Sequence, residues 1–417
     1  VPLSTALFTS TSATCVTGLI VEDTGSYFSP FGQLVILTLI QAGGLGIMTL
    51  GTLLLVLVGR RLTMSDEFVL RDSIGAVGIQ GFRALLARSV AFTFVIEARG
   101  AAVLTHRFRH VLDMEWGEAA YYGVFHAISA FCNAGFSLFS DSLMGVREDA
   151  VLVLTSGLLI IVGGLGFVVL FNLSSWQPWR SNRLKRGRLS LHTRIVLGAS
   201  GVLLAAGMLL FILFEWNGTL ADMPWPHKLS CAFFQSLTPR TAGFNVVDMA
   251  EVSPAGQFST MVLMFIGGAP GSTAGGTKVT TLVVLWLSVT TMWKGRRQSV
   301  VGRRSVPNPI SREATAIYIL SVTIVILVFQ ALLITEHVGM EDSPVMTPFD
   351  VLFETMSAFG TVGLSTGVTP LLSIPGRLAV ILCMFVGRLG PLTVALVIGH
   401  RETPGHIEYP DEEIMVG

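Results

Sequence analysis

The sequence predicts an all-α integral membrane protein in which four helix–pore-helix–helix repeats form a pseudo-four-fold array around a central pore. Two observations predict this fold. The 417-residue chain is 51% apolar and only 13% charged, whereas soluble domains carry nearer to a quarter charged residues. A short motif also recurs four times between apolar stretches that are long enough to cross a bilayer as helices.

Each copy of the motif contains a small or β-branched residue, a glycine and then leucine or phenylalanine. The four copies are Cys15-Val16-Thr17-Gly18-Leu19, Cys132-Asn133-Ala134-Gly135-Phe136, Arg240-Thr241-Ala242-Gly243-Phe244 and Gly360-Thr361-Val362-Gly363-Leu364. One such copy is more often an ordinary turn or a helix-packing tripeptide than a site. Four copies at a shared place in a long repeat instead indicate re-entrant bends that meet at one axis.

Four re-entrant bends around one axis predict a pore lined by backbone carbonyls. A monovalent cation loses its water only where a dense ring of oxygen dipoles replaces it. Small residues and a glycine allow the backbone to turn its carbonyls inward. The predicted cation-binding filter therefore comprises Val16, Thr17, Gly18, Asn133, Ala134, Gly135, Thr241, Ala242, Gly243, Thr361, Val362 and Gly363.

Taken in chain order, the apolar runs predict a short helix before each bend and a long helix after it. The short helices are predicted over residues 1–13, 118–131, 227–237 and 349–359. Spanning helices are predicted over residues 31–58, 82–105, 151–173, 195–214 and 314–335, since about 20 apolar residues cross a bilayer. The last spanning helix is predicted over residues 378–398, with an interruption at residues 387–391. Within residues 82–105, Glu97 and Arg99 could pair, face a wet crevice or lie near an interface.

The repeats follow from these runs. The first is predicted at residues 1–58, without its first spanning helix, and the second at 80–175. The third is predicted at 192–293 with a broken second helix, and the fourth at 312–400, before a C-terminal tail at 401–417.

A glycine-rich break interrupts the last helix of the third repeat. Glycine and proline at this density cannot hold a regular helix, and irregular backbone at bilayer depth is tolerated only inside protein or facing water. The alternative is a static kink for close helix packing. We predict a mobile gate below the filter, formed by Gly267, Gly268, Ala269, Pro270, Gly271, Ser272, Thr273, Ala274, Gly275, Gly276, Thr277 and Lys278.

Arg388 is the second predicted component of the gate, because it lies near the middle of the last spanning helix. A lone arginine at that depth costs about 3 kcal/mol on insertion scales, so it must face water or partners. We expect the carbonyls of the glycine-rich break to be those partners. The alternative is an arginine that only ties two helices together.

Charge distribution predicts the orientation. The linkers at residues 176–194 and 294–312 each carry six lysines and arginines. Loops that flank the bends are richer in acids. By the positive-inside rule the linkers lie in the cytoplasm and the bends open to the outside.

Two other function classes are weaker. A coupled symporter with alternating access would expect inverted repeats around a midplane site, and these repeats all read in one direction. Residues 271–278 resemble a phosphate loop only superficially, because lysine there is followed by valine and not by serine or threonine. No catalytic constellation is visible in the sequence, so we predict that the protein is not an enzyme.

The four motifs, the glycine-rich break and Arg388 together resemble the superfamily of Ktr, Trk and HKT potassium transporters, and within it the bacterial KtrB type of membrane subunit. The resemblance covers nearly the whole chain. It implies that the four motif glycines belong to a potassium-selective filter, since members with serine in the first copy favour sodium. It also implies that Arg388 belongs to an intramembrane gate.

The resemblance further implies the protein's setting. It implies K+ uptake across the bacterial inner (cytoplasmic) membrane, with the filter entrance outside, in a Ktr-type system that Na+ stimulates as an activator. It implies a homodimer with one pore per subunit, in contact with the lipid bilayer. The implied partner is a cytoplasmic nucleotide-binding regulatory ring of the KtrA or TrkA type. We expect no cofactor in this chain and no nucleic acid as a partner.

Overall fold

A computed structural model describes residues 1–46, 79–176, 189–296, 298–301, 304–337 and 346–390. This part of the chain is predominantly helical. Its helices, in order, are α1 (Leu3–Thr14), α2 (Thr24–Tyr27), α3 (Pro30–Gly44), α4 (Ile79–Val111), α5 (Trp116–Cys132), α6 (Ala150–Leu165), α7 (Phe167–Ser175), α8 (Leu191–Glu215), α9 (Trp225–Leu237), α10 (Pro254–Phe265), α11 (Val279–Trp293), α12 (Asn308–Thr335), α13 (Pro348–Gly360) and α14 (Ile374–Leu389).

The four predicted short helices are present as α1, α5, α9 and α13. Local sequence explains where they begin. Pro224 lies at the N-cap of α9, and Pro348 lies in the first turn of α13, where a missing N–H costs nothing. A capping box between Thr347 and Asp350 also fixes the start of α13.

The prediction of one unbroken helix after the bend is wrong in the first two repeats. Helix α3 ends at Gly44, and the predicted helix over residues 151–173 bends by 100° between α6 and α7. In the fourth repeat α14 ends at Leu389, within the interruption that the sequence predicts at residues 387–391. Gly46, Gly166 and Gly390 have positive φ angles of 83°, 83° and 88° at these places. A right-handed helix cannot continue through such a residue, and apolar composition does not report it.

The break in the third repeat occurs where the sequence predicts it, between α10 and α11. Gly271, with a φ of 68°, lies in this break. All four chain segments after the bends are therefore interrupted at a glycine in the left-handed region. The interruption in the third repeat, between Phe265 and Val279, is longer than that in the second repeat, where Gly166 alone separates two helices.

Two of the described helices, Leu191–Glu215 and Pro309–Thr335, are long and apolar enough to cross a membrane, and the bent pair α6–α7 adds a third if it counts as one span. Helices α3 and α11 are apolar but shorter.

Polar clamps join the two long helices within repeats two, three and four. Arg107 on α4 pairs with Asp149, the N-cap of α6. Glu215, the last residue of α8, and Glu336, which follows α12, accept hydrogen bonds from the serines that cap α10 and α14. Their oxygens lie 2.5 Å from Ser253 Oγ and 2.6 Å from Ser373 Oγ. Glu336 is buried, although it belongs to a loop that flanks a bend.

Packing between repeats runs in one cyclic order. Each helix that follows a bend contacts the short helix of the next repeat: α3 contacts α5, α6 contacts α9, α10 contacts α13, and α14 contacts α1. The last of these contacts joins the two ends of the described chain, so the fourth repeat neighbours the first.

The all-helical prediction needs one correction. Residues Ser299–Val301 (β1) and Arg304–Val306 (β2) form a two-stranded antiparallel sheet in the second basic linker, with Ser299 opposite Val306. The predicted tail at 401–417, the end of the fourth repeat and residues 47–58 of the first lie outside the described residues.

We predict that Gly163→Ala destabilises the fold by about 1–3 kcal/mol, the usual cost of overpacking. A Cβ at this position would overlap the carbonyl oxygen of Phe131, at the end of α5. The matched control is Gly198→Ala in α8, where no atom of the other described elements lies within 4 Å of the added carbon. Thermal unfolding in detergent should show a lower midpoint for Gly163→Ala alone, and equal midpoints for the two variants would contradict the packing.

Candidate functional site

The four bends share one backbone conformation. In each copy a non-glycine residue with positive φ is followed by a residue with negative φ and then by a glycine with positive φ. The non-glycine residues are Val16, Asn133, Thr241 and Thr361, with φ angles of 56°, 58°, 74° and 49°. The glycines are Gly18, Gly135, Gly243 and Gly363, with φ angles of 95°, 70°, 79° and 94°.

This conformation is costly for side chains. Valine and threonine are branched at Cβ and rarely adopt the left-handed region, and each such residue costs about 1–3 kcal/mol. Three of the four positions carry one. Strain of this kind persists where surrounding contacts impose it, which is typical of functional sites.

The four motif glycines face one another in a closed ring. A Cβ on Gly18 would lie 2.5 Å from the carbonyl oxygen of Ala134, and a Cβ on Gly135 would lie 3.0 Å from that of Ala242. The same atom on Gly243 would overlap the carbonyl of Val362, and on Gly363 that of Thr17. Each glycine therefore abuts the carbonyl of the middle residue in the next copy, in the order one, two, three, four, one.

Hydrogen bonds at the ends of the short helices hold three of the bends. The amides of Val16 and Thr17 donate to the carbonyls of Ala13 and Ser12, at 3.1 and 2.8 Å. The same two bonds recur after α5 and after α13. This is the Schellman pattern, in which a left-handed residue ends a helix and satisfies its last carbonyls.

The third bend departs from that pattern. Helix α9 ends at Leu237, and Pro239 has no N–H to donate. The amide of Ala242 instead donates to the carbonyl of Thr238 at 2.9 Å. Arg240 is buried beside this bend and donates to Ser200 Oγ at 3.0 Å.

Serines behind the bends are site residues that sequence reasoning missed. Ser12 Oγ accepts from the Gly18 amide, and Ser357 Oγ accepts from the Gly363 amide, each at 3.1 Å. Ser129 in the second copy donates to the Phe136 carbonyl at 2.7 Å. A serine at the same distance before the glycine in three copies is the signal that could have identified them.

Several hydroxyl groups at the bends have no protein partner. The Oγ1 atoms of Thr17, Thr241 and Thr361 are buried without a hydrogen bond. A buried hydroxyl left unpaired costs about 1–3 kcal/mol. These three atoms are therefore available to a ligand or to water.

A second set of glycines packs against the ends of the short helices. A Cβ on Gly43 would overlap the carbonyl oxygen of Thr14, and one on Gly387 would overlap that of Phe359. Gly163 has the same relation to Phe131. In each repeat concerned, the long helix thus lies in direct contact with the carbonyl that precedes the bend.

The glycine-rich segment, residues 267–278, forms a buried loop whose ends are joined. The Gly267 amide donates to the Thr277 carbonyl at 2.7 Å, and the Val279 amide donates to the Gly268 carbonyl at 3.0 Å. The loop lies against the fourth bend, because a Cβ on Gly275 would overlap Thr361 Oγ1.

Hydrogen bonds fasten this loop to two other repeats. The Ala269 amide donates to the Gly164 carbonyl at 3.1 Å, and Thr273 Oγ1 donates to the Phe131 carbonyl at 3.3 Å, both in the second repeat. The Gly276 amide donates to the Gly387 carbonyl of the fourth repeat at 3.2 Å.

Two cations hold carbonyls at this loop. Arg388 donates from its two terminal nitrogens to the carbonyls of Thr273, in the loop, and of Gly43, in the first repeat. Lys278 Nζ lies 2.7 Å from the Ala274 carbonyl oxygen. Arg388 thus bridges the fourth repeat to the first and to the third.

Glu97 and Arg99 do not pair. Glu97 points into the protein, where Gln41 Nε2 donates to its carboxylate oxygens at 3.2 and 3.3 Å and Cys132 Sγ lies 3.8 Å away. Arg99 is exposed. The sequence left three possibilities open for Glu97 and Arg99, and the first of them, that they pair with each other, is therefore wrong.

Comparison with known proteins gives the family. Residues 1–402 match the family described as TrkH, cation transport protein. The chain is 40% identical over 415 residues to the Ktr system potassium uptake protein B of Bacillus subtilis, covering 99% of this chain and 89% of the relative. It is 36% identical to the potassium/sodium uptake protein NtpJ of Enterococcus hirae, again covering 99% and 89%.

A solved structure has the same fold. The crystal structure of the potassium transporter TrkH from Vibrio parahaemolyticus superposes with a TM-score of 0.71 at 18% identity, covering 96% of this chain and 79% of that one. The resemblance found in the sequence is thereby confirmed. The chain belongs to the TrkH family of cation transport proteins, which are transporters and not enzymes.

Proposed function

We propose that the chain conducts K+ into the cell through a channel-like pore whose filter is the ring of four bends. The observation that carries the proposal is the cyclic contact of the four motif glycines with the neighbouring carbonyls. The names of the Bacillus and Enterococcus relatives, which take up potassium or potassium and sodium, support the choice of ion.

The chemistry follows from the backbone. Residues that alternate between left- and right-handed conformations turn successive carbonyl oxygens to one side of a strand, and four such strands surround an ion with oxygen dipoles. The proposed filter comprises the carbonyls of residues 16–18, 133–135, 241–243 and 361–363. The unpaired hydroxyls of Thr17, Thr241 and Thr361 add polar groups at the same place.

The cyclic packing favours a fixed pore over an alternating-access symporter. A rocking mechanism needs two halves that move against each other around a midplane site. Here the contacts between a long helix and the next short helix run round all four repeats. A ring of this kind has no seam that divides it into two halves.

We also propose that residues 267–278 and Arg388 form the gate. The loop lies directly against Thr361, and the guanidinium of Arg388 is held beside it. A fixed positive charge next to the filter raises the barrier for any cation that leaves it.

The remaining features of the resemblance belong to the same proposal. They are a homodimer, a cytoplasmic nucleotide-binding ring, stimulation by Na+, and insertion in the inner membrane with the basic linkers in the cytoplasm. The names of the Bacillus and Vibrio alginolyticus relatives, protein B of a Ktr system, support a multi-component assembly.

The deciding experiment is ion flux into liposomes that contain the purified chain alone. We expect uptake of K+ and Rb+ to exceed uptake of Na+. Equal uptake of the three ions would contradict a potassium filter, and uptake that requires a Na+ or H+ gradient would favour the symporter.

Gly18→Ser is predicted to reduce the preference for K+ over Na+. The position has a φ of 95°, and a side chain there would press on the Ala134 carbonyl. Competition of Na+ with Rb+ uptake measures the preference. The proposal predicts the same direction for Gly135→Ser, and an unchanged preference in both variants would sink the filter assignment.

Shortening the loop by deleting residues 269–274 is predicted to raise flux through the isolated chain. The backbone bonds from Gly267 to Thr277 and from Val279 to Gly268 keep the ends of the loop together, so a shorter connection can close. Rb+ uptake by the folded variant is the measurement. Flux that stays equal or falls would favour a static packing kink.

Arg388→Ala is predicted to speed ion passage about tenfold, because a unit charge near 10 Å from an ion raises its energy by about 1–2 kcal/mol at an effective dielectric constant of about 20. Arg388→Lys should retain most of the barrier, since the charge survives.

Comparison of the two Arg388 variants distinguishes an electrostatic barrier to ion passage from a purely structural role in packing. Lysine cannot bridge the Thr273 and Gly43 carbonyls with a rigid fork as arginine does. Rb+ uptake of both folded variants is compared with wild type. An equal loss of flux in the alanine and lysine variants would mean that Arg388 serves packing alone.

A further inference from the structure

Behind the second and fourth bends, a buried titratable side chain on the short helix is bonded to the chain just after the bend. Glu354 on α13 contacts Ser365, and His126 on α5 contacts Ser137. His126 precedes Gly135 by the same number of residues as Glu354 precedes Gly363, and the two serines follow their glycines by the same number. The contact is therefore repeated in register.

Glu354 has no exposed surface, and both of its oxygens accept hydrogen bonds. Ser365 Oγ donates to Oε1, and Thr369 Oγ1 donates to Oε2 at 2.8 Å. Ser365 Oγ in turn accepts from the Gly367 amide at 2.9 Å. One carboxyl group thus fixes residues 365–369 against the helix that carries it.

His126 makes the corresponding contacts with an imidazole. Nδ1 lies 2.8 Å from the Tyr122 carbonyl oxygen, to which it can only donate. Nε2 lies 3.0 Å from Ser137 Oγ. Ser137 Oγ accepts from the Phe139 amide at 2.9 Å, so the imidazole fixes the segment after the second bend.

In the first and third copies, the residue at the equivalent position of the short helix makes no such hydrogen bond in the described structure. Thr9 occupies it in the first copy, and its buried hydroxyl has no hydrogen bond in the described structure. Phe234 occupies it in the third copy. In the cyclic order of the bends, the two braced copies lie opposite each other.

We propose that Glu354 and His126 are positioning residues that set the ion selectivity of the filter by bracing the fourth and second bends. The inference rests on the proposed function and adds its specificity-determining residues. Neither side chain contacts the ion; each acts through the serine that follows its bend.

The physical reason is the rigidity of the oxygen cage. Discrimination between K+ and Na+ requires that the carbonyls keep their number and field strength when a smaller ion enters. Hydrogen bonds that join the short helix to the chain on both sides of a bend oppose contraction of the carbonyl cage around the smaller ion. Of the two braces, the carboxyl group, with two acceptor oxygens in use, holds more of the chain.

The test is Glu354→Gln in proteoliposomes, with Rb+ uptake measured against competing Na+. The glutamine side chain has the same shape, but its NH2 group replaces one of the two carboxylate oxygens. That group cannot accept the hydrogen bond from the hydroxyl donor, so one of the two bonds is lost. We expect the preference for K+ over Na+ to fall about tenfold, the effect of one such lost hydrogen bond, and the KM for K+ to rise more than the maximal rate falls.

Glu336→Gln is the matched control. Glu336 is also buried and accepts from Ser373 Oγ at 2.6 Å, but it clamps the start of α14 and not a bend. We expect a lower unfolding temperature and an unchanged ion preference. The same loss of preference in this control would overturn the inference, because general loosening would then explain both.

The outcomes also separate the inference from the function on which it rests. Wild-type protein without a K+ preference would overturn both. A K+ preference that survives Glu354→Gln in folded protein would overturn the inference alone. If that variant does not fold, Ser365→Ala removes only the hydroxyl donor and is read by the same two outcomes.

Discussion

The structure depends on holding four short stretches of backbone in a conformation that their residues resist. Val16, Thr241 and Thr361 are β-branched and have left-handed φ angles, at a cost of about 1–3 kcal/mol each. Paired amide bonds to the ends of the short helices offset part of that cost in three copies, and serine hydroxyls behind the bends add to them. In these three copies the short helix ends directly before its bend, where its last carbonyls accept these bonds.

The other glycines follow from the same constraint. For a long helix to press the end of a short helix toward the axis, its backbone must touch the carbonyl that precedes the bend. Gly43, Gly163 and Gly387 make that contact, and a Cβ at any of them would overlap a carbonyl oxygen. Each helix then breaks a few residues later, at Gly46, Gly166 or Gly390. Two sets of glycines therefore perform two tasks: close approach and change of direction.

Sequence reasoning succeeded where the signal repeats and failed where it is local. The recurring motif identified the bends and the short helices before them, because four copies share one spacing. In the first two repeats apolar composition overextended the helix after the bend, since valine or leucine beyond a break has the same composition as a continued span. Sequence reasoning also did not predict that Glu97 and Glu336 are buried. Whether an acid faces water or a capping serine depends on which residues the fold brings beside it. Ser373 lies far from Glu336 in sequence, and only the fold joins them.

The departure of the third copy from symmetry gives the proposed gate its place. In a ring of four identical units, no single unit would differ from the others in a way that could make it the gate. In the third copy Pro239 has no N–H to donate, Arg240 is buried beside the bend, and the following helix is interrupted by a buried loop. The hydrogen bonds of that loop are made largely to residues that lie just before the helix breaks of its neighbours, Gly164 and Gly387, and to Arg388. They leave the amide bonds of the other three bends untouched. Under the proposed function, a loop held in this way can exchange its partners while the ring of bends keeps its own hydrogen bonds, and gating and selectivity then depend on different bonds.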